Sequence, residues 1–302
     1  MHGSAKVLGQ TIADDYALYH GDCIEILSGL PDDCIHLTMT SPPFAALYQY
    51  SATERDIGNC VSEEQFFTHF AYVAQHLLRV TIPGRLVAMH VSDVPAMQVR
   101  DGWIGLKNFS GHMIDHMSMH GWLFHGKYVL DKDPQAQAIR IRAKGLAFQQ
   151  LHKDASWMRA ALPDYVLLFR KPGDNPTPII PDIDNETWIE WAHPVWYSTS
   201  RDPYRGIRET HTLNAAEARE SDDDRHICPL ALDLIERCIR IWSNPREIIL
   251  DPFAGICSTG YVALEHTRRF IGCELKESYA QSGIRNLEHA LSLRNQLSLS
   301  LQ

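Results

Sequence analysis

The chain has 302 residues, a formal net charge of −9 and 45% apolar residues, enough to bury the core of one large α/β domain or two small ones. No apolar run reaches membrane-spanning length, and the start Met1-His2-Gly3-Ser4-Ala5-Lys6 lacks the apolar core of a signal peptide, so a cytoplasmic protein is expected. Seven cysteines, odd in number and without a C-x-x-C pair, argue against a disulfide framework and for reduced thiols.

In chain order, the first informative element is the apolar and β-branched run Cys34 to Met39, of buried-strand type. It puts Thr40-Ser41-Pro42-Pro43-Phe44 at a strand's carboxyl end, the edge where open α/β sheets hold ligands. Proline fixes φ and has no N–H, so Pro42-Pro43 is a stiff corner with outward carbonyls. Ser41 adds a hydroxyl and Phe44 a flat ring. That set suits a planar group with an exocyclic amine: hydroxyl and carbonyl accept its two N–H bonds while the ring stacks on its face.

Ser62 to Val80 predicts a helix, with a capping-box pattern at Ser62 and Gln65 and apolar Phe66, Phe67, Phe70, Val73, Leu77 and Leu78 at helical spacing. Pro83-Gly84 predicts a turn, Arg85 to Val91 a strand, and Met113 to His120 a helix ended near Gly121. His112, His116 and His120 recur every four residues. The interleaved Met113, Met117 and Met119 fit an amphipathic or buried helix, no carboxylate-rich ligand pattern accompanies them, and no metal is expected. From Lys132 to Lys171 the basic residues Lys132, Arg140, Arg142, Lys144, Lys153, Arg159, Arg170 and Lys171 outnumber Asp133, Asp154 and Asp164. This is the best phosphate-contacting stretch in an otherwise acidic chain, although a solvated helical face would show the same excess. Arg140, Arg142, Lys144, Lys153 and Arg159 are the candidates for nucleic-acid contact.

Tyr165 to Phe169 predicts another short strand, and Lys171-Pro172-Gly173-Asp174-Asn175-Pro176-Thr177-Pro178 marks a boundary. Regular patterning then fades to Arg225, while Trp188, Trp191, Trp196 and Tyr197 cluster. They are read as an inserted lobe's own small core in preference to an exposed aromatic surface. Asp222-Asp223-Asp224 is an acidic run of solvent-facing type. Beyond it, Glu247 to Leu250 predicts a strand ending in Asp251-Pro252-Phe253-Ala254-Gly255, followed by Ser258, Thr259 and Gly260. A helical stretch Tyr261 to His266 and a strand Arg269 to Cys273 ending in Glu274 complete the unit. A glycine turn between strand and helix, with an acidic residue about 20 positions on, is a nucleoside-cofactor site of Rossmann type. A buried βαβ unit with an ordinary glycine turn is the plainer alternative. Cys257 stands where a second glycine is usual, so it is expected either to crowd the ligand or to need a left-handed φ.

At this point the residues carry a resemblance. Thr40-Ser41-Pro42-Pro43-Phe44, Asp251-Pro252-Phe253-Ala254-Gly255 and Arg268 to Leu275 resemble the amino-methyltransferases of DNA, which make N4-methylcytosine or N6-methyladenine from S-adenosylmethionine. Catalytic motif first and cofactor motif last resembles the circularly permuted β-group. Leu18 to Cys23 looks like the family's cofactor-side segment, and Arg225-His226-Ile227-Cys228-Pro229-Leu230 like the segment closing over the methionine part. The likeness covers 16–91 and 225–290 well and 121–173 loosely.

The resemblance implies a Rossmann-like α/β methyltransferase sheet, mostly parallel with helices on both faces, plus an inserted irregular lobe. It divides the chain into a catalytic half at 1–172, a target-recognition-like lobe at 173–225 and a cofactor-binding half at 226–302. It implies catalytic roles for Ser41, Pro42, Pro43 and Phe44. The implied cofactor residues are Asp22, Cys23, His226, Pro229, Leu230, Asp251, Pro252, Phe253, Ala254, Gly255, Ser258, Glu274 and Leu275, with Asp22 near the adenine and Glu274 on the ribose hydroxyls. The implied partner is double-stranded DNA in a bacterial or phage-infected cell; a homodimer and a cognate restriction endonuclease are further candidates. Ser41, where many adenine-N6 members have aspartate, favours cytosine N4 over adenine N6. A cytosine-C5 enzyme is disfavoured because no Pro-Cys pair occurs. An amine methyltransferase acting on RNA or protein, and a non-catalytic DNA-binding remnant, are the alternatives.

Overall fold

The computed structural model describes residues 7–43, 57–60, 62–96, 98–141, 148–215 and 229–300. The chain opens with β1 (Gly9–Ile12), β2 (Tyr16–His20), α1 (Cys23–Gly29) and β3 (Ile35–Thr40), then α2 (Glu63–Val80) and β4 (Thr81–Ser92). A hairpin of β5 (Val94–Ala96) and β6 (Gly105–Lys107) encloses α3 (Gln98–Asp101) and leads into α4 (Phe109–Met119) and β7 (Leu123–Leu130). Two short helices, α5 (Pro134–Ile141) and α6 (Phe148–Lys153), precede β8 (Asp164–Arg170), α7 (Asn185–Trp191) and β9 (Val195–Trp196). The last part is α8 (Leu232–Trp242), β10 (Ile248–Asp251), α9 (Ser258–Glu265), β11 (Arg269–Glu274) and α10 (Glu277–Ser300).

Nine strands form one sheet in the order β1-β2-β11-β10-β3-β4-β8-β7-β9. Its centre, β2 through β4, is parallel, and β8 and β7 continue it antiparallel. Both faces are covered, which the strand sequences require. On β4, Leu86 and Ala88 enter one core while Val87, Met89 and Val91 enter the other; on β8, Val166 and Leu168 oppose Leu167 and Phe169 in the same way. A strand apolar at every position has no face to give to water. One core is closed by Ile235, Ile239, Val262 and Leu287 from α8, α9 and α10, the other by Phe66, Phe70, Val73, Leu77, Met113 and Met117 from α2 and α4.

The helix predicted from Ser62 is α2, whose first turn is closed by the Ser62 hydroxyl accepting from the Gln65 N–H at 3.1 Å. Pro83-Gly84 is not a turn ahead of a strand beginning at Arg85, as the sequence reading has it, because β4 already begins at Thr81. It is a bulge inside β4: Ile35 pairs with Thr81 and Leu37 with Leu86, so the intervening residues loop out and pairing resumes. Gly84 adopts φ +75°, and a β-carbon there would lie 2.5 Å from the Asn175 nitrogen. The tryptophan cluster is also placed differently from expectation. Trp196 is buried in the main core rather than in a core of its own lobe, because β9 pairs with β7 and sets its ring 4.6 Å from Tyr128. Arg237 packs over the Trp191 and Trp196 rings, whereas Trp188 and Tyr197 are exposed.

No described helix is long and apolar enough to cross a membrane, and no three metal-ligating side chains gather among the described residues. His116 is buried against Phe67 and Phe70, and His112 pairs with Glu63.

The start of α9 depends on Cys257. It adopts φ 64° and ψ 39°, the left-handed conformation that glycine tolerates best. Its fully buried thiol points into the core, toward α10, where a β-carbon built on Gly283 would lie 2.5 Å from Sγ. The residue therefore takes the strained φ and leaves the loop's outer face uncrowded. Gly283 is the complementary vacancy.

Two outcomes follow from this packing. Gly283→Ala should cost about 1–2 kcal/mol, overpacking outweighing the gain in helix propensity, and Cys257→Gly in the same chain should recover the loss; chemical denaturation measures both. Burial, then the neighbouring His120, pushes the His116 imidazole down to about 4. A histidine whose folded pKa lies below its unfolded value near 6.5 loses stability as pH falls between the two. The wild type should therefore lose about 3 kcal/mol relative to His116→Leu between pH 7 and pH 4, read from paired denaturation curves.

Candidate active site

Two loops meet where the sheet changes winding direction. From β10 the chain runs through α9 to β11 on one side, and from β3 through α2 to β4 on the other. The crevice between the carboxyl ends of β10 and β3 is thus the switch point where open α/β sheets take ligands. Ser41-Pro42-Pro43 leaves β3 there, and Pro252-Phe253-Ala254-Gly255 leaves β10 beside it.

Asp251 ties the two together. Its Oδ1 accepts from the Thr40 hydroxyl at 2.7 Å and the Phe253 N–H at 3.0 Å, and its Oδ2 accepts from the Thr259 hydroxyl at 2.8 Å. Burial pushes the Asp251 carboxyl up to about 6, with the three donors pulling the other way, so it is ionised at neutral pH. The side chain is committed to joining β3, β10 and α9. Pro252 is buried behind it, and Phe253 stacks toward Phe70 of α2 at 6.4 Å.

Gly255 has φ +54°, and a β-carbon built on it meets nothing within 4 Å, so the glycine loop faces open space. Across it stands Glu274 at the end of β11. Its Oε2 accepts from the Gly255 N–H and its Oε1 from the Lys276 N–H, both at 2.8 Å, which fixes the carboxylate's direction. β2 ends alongside, the Gly21 N–H donating to the Glu274 carbonyl at 2.9 Å. Next in the chain, Asp22 caps α1 by accepting from the Ile24 N–H at 2.8 Å. Asp22, Glu274 and Gly255 thus gather at neighbouring strand ends. Cys23 is buried in the α1 core, with desolvation raising its thiol pKa. Ala254 and Ser258 are buried, Leu275 is half-buried, and Pro229 and Leu230 lie just before α8, Leu230 packing against the core.

On the other side of β3, Ser41 meets His90, which the sequence reading did not single out. Its Oγ lies 3.1 Å from His90 Nδ1 and 3.3 Å from the His90 carbonyl oxygen, both on β4. His90 Nε2 lies 3.1 Å from Asp164 Oδ2 at the start of β8, and Lys132 Nζ reaches the same oxygen at 2.8 Å. Burial would raise the Asp164 carboxyl, but the bonds from His90 and Lys132 prevail and hold it well below the usual carboxylate range. The available signal was a histidine inside the otherwise apolar run Leu86 to Val91.

Of the other predicted site residues, Phe44, His226, Arg142 and Lys144 lie outside the described residues, and Arg140 is on α5. Lys153 is exposed at the end of α6, and Arg159 is half-buried beside it in the chain. Two members of the same basic stretch are spent internally. Lys132 pairs with Asp164, and Lys171 pairs with Asp33 at 2.6 Å.

A family model described as DNA methylase matches residues 35–285. The type II methyltransferase M.PvuII of Proteus hauseri is 24% identical over 303 residues, covering 91% of this chain and 85% of that protein. The DNA adenine methyltransferase YhdJ of Escherichia coli (strain K12) is 47% identical over 57 residues, a local match spanning 19% of either chain. Among solved structures, the cytosine-N4-specific PvuII DNA methyltransferase superposes with a TM-score of 0.64 at 18% identity, covering 96% of each chain. TTHA0409 of Thermus thermophilus, a DNA modification methylase complexed with S-adenosyl-L-methionine, gives 0.65 at 20% identity, covering 92% of this chain and 96% of that one. With the family match running from β3 into α10, across both loops of the crevice, the chain belongs to the N6/N4 DNA methylase family, the amino-methyltransferases of DNA.

Proposed function

We propose that the protein methylates the exocyclic amine of a base flipped out of double-stranded DNA, with S-adenosylmethionine as donor and cytosine N4 preferred to adenine N6. The observation that carries this reading is the 2.7 Å bond from Thr40 to Asp251, which holds the serine-proline loop beside the glycine loop.

The residues present fit the donor. A nucleoside needs a carboxylate for its ribose hydroxyls and a backbone that lets it approach. Glu274, aimed by two backbone N–H groups, and Gly255, open in front, meet those needs. Glu274, Asp22 and the Phe253-Ala254-Gly255 loop would hold the cofactor, with Pro229, Leu230 and His226 toward its methionine part. When bound, S-adenosylmethionine supplies an electrophilic methyl on a sulfonium sulfur.

The chain's own residues prepare the nucleophile. An aromatic amine is weakly nucleophilic because its lone pair is delocalised into the ring. Accepting its two N–H bonds at the Ser41 hydroxyl and the Pro42 carbonyl favours a pyramidal nitrogen and frees that pair. Pro42 and Pro43 lack N–H groups, so the corner presents acceptors without competing backbone donors. A paired base hides its amine in the duplex, so it must be flipped out, and Phe44 is the sequence's candidate for stacking on it. Serine at position 41 supports the cytosine preference. Since Lys132 and Lys171 are engaged internally, phosphate contact falls to Lys153, Arg159, Arg140, Arg142 and Lys144. The relatives' type II names support a restriction-modification setting, with a cognate endonuclease as partner.

Expression in a methylation-free host and sequencing of modified bases should give N4-methylcytosine at a defined site. N6-methyladenine would overturn the base preference, and label confined to RNA or protein would overturn the DNA reading. Ser41→Ala should lower kcat about 10²-fold while leaving cofactor Kd within about twofold. Glu274→Ala should raise cofactor Kd about tenfold or more, seen by calorimetry. The reverse pattern would show the two halves to be wrongly assigned.

A further inference from the structure

The serine of the amine site is held by a second, partly buried chain of polar groups, running away from the glycine loop. Its members are Ser41, His90, Asp164 and Lys132, contributed by the ends of β3, β4, β8 and β7. His90 is 8% exposed, so its ring nitrogens have these neighbours in place of bulk water.

We propose that His90 is a positioning residue for methyl transfer: it orients the Ser41 hydroxyl as an acceptor for the substrate amine and, through Ser41, takes up the proton that the methylated amine sheds. This rests on the amine-methylation reading above.

The argument is one of donors and acceptors. Asp164, held ionised, can only accept, so the hydrogen of neutral His90 sits on Nε2 and its Nδ1 is left as an acceptor. The Ser41 hydroxyl then has two acceptors within reach, Nδ1 and the His90 carbonyl oxygen. It donates to His90 in either case. Its lone pairs therefore point away, available to a substrate N–H and unsuited to a base presenting a carbonyl at that place. Serine alone would rotate freely and donate as readily as accept.

The proton balance follows the same line. As the amine lone pair takes the methyl, whose bond to sulfur breaks with the pair staying on sulfur, the nitrogen becomes cationic. One of its N–H protons passes to Ser41 Oγ while the Ser41 proton passes to His90 Nδ1. The product amine is left neutral and the imidazolium sits against Asp164, to be discharged to solvent before the next turnover. The charged groups facing His90 are Asp164 from β8 and, through it, Lys132 after β7, which also lies 3.8 Å from Glu209. A His90 protonated before substrate arrives carries hydrogen on Nδ1, donates to Ser41 and blocks the relay. The relay therefore predicts an acid limb of unit slope in log kcat against pH.

The test compares wild type, His90→Phe, His90→Asn and Ser41→Ala/His90→Phe on duplex DNA with S-adenosylmethionine. His90→Phe should lower kcat about 10²-fold with KM for DNA and cofactor Kd within about twofold. His90→Asn, which keeps an acceptor near Nδ1 but does not titrate, should regain part of kcat and lose the acid limb. In the Ser41→Ala background His90→Phe should add no further loss, since the relay acts only through that hydroxyl. An equal loss in both backgrounds would mark His90 as merely structural and overturn the relay, as would wild-type kcat in His90→Phe. DNA left unmethylated by the wild type would overturn the underlying reading and the relay together.

Discussion

A carboxylate buried at the end of the central strand is the constraint on which the rest of this site depends. Taking an ionised group out of water costs several kcal/mol, and charge-assisted hydrogen bonds return about 1.5–3 kcal/mol each. Asp251 meets three donors, from Thr40, Phe253 and Thr259. Each bond offsets part of that cost. Each donor comes from a different element: β3, the loop after β10 and the first turn of α9. The charge is thus a geometric lock, because shifting any of the three exposes its cost.

That lock explains the tolerance of strain nearby. Cys257 holds a left-handed conformation at the start of α9, an arrangement that costs roughly 1–3 kcal/mol for a residue with a side chain. It is over-determined from both sides. Thr259 anchors the first turn of the helix to Asp251, and the thiol fills the space that Gly283 leaves in α10. The loop between can therefore present Gly255 toward open space without support from below.

Much of this was legible in the sequence, for identifiable reasons. The strands β3, β10 and β11 and the helix α2 announce themselves by apolar period and by a cap, which are local signals, and the two site loops follow from strand ends. What was not legible is pairing at a distance. Val195 and Trp196 have no period to read, and only their register with Val129 and Leu130 on β7 puts Trp196 in the main core. Pro83-Gly84 carries a true local turn signal, yet pairing resumes beyond it and absorbs the turn as a bulge. Polar residues inside apolar runs fall between these cases. His90 and Asp251 are visible as anomalies, but nothing local names Asp164, Thr40 or Thr259 as their partners.

The two polar systems share one strand end and part toward its two neighbours in the sheet. Thr40 ends β3 and Ser41 is the next residue in the chain. Thr40 is bonded toward β10, to Asp251, and Ser41 toward β4, to His90. β3 lies between those two neighbours in the sheet. One residue thus couples the strand to the loop after β10, and the next couples it to β4. Held between two hydrogen-bonded neighbours, the end of β3 sets the separation of the Asp251 and His90 systems by strand spacing.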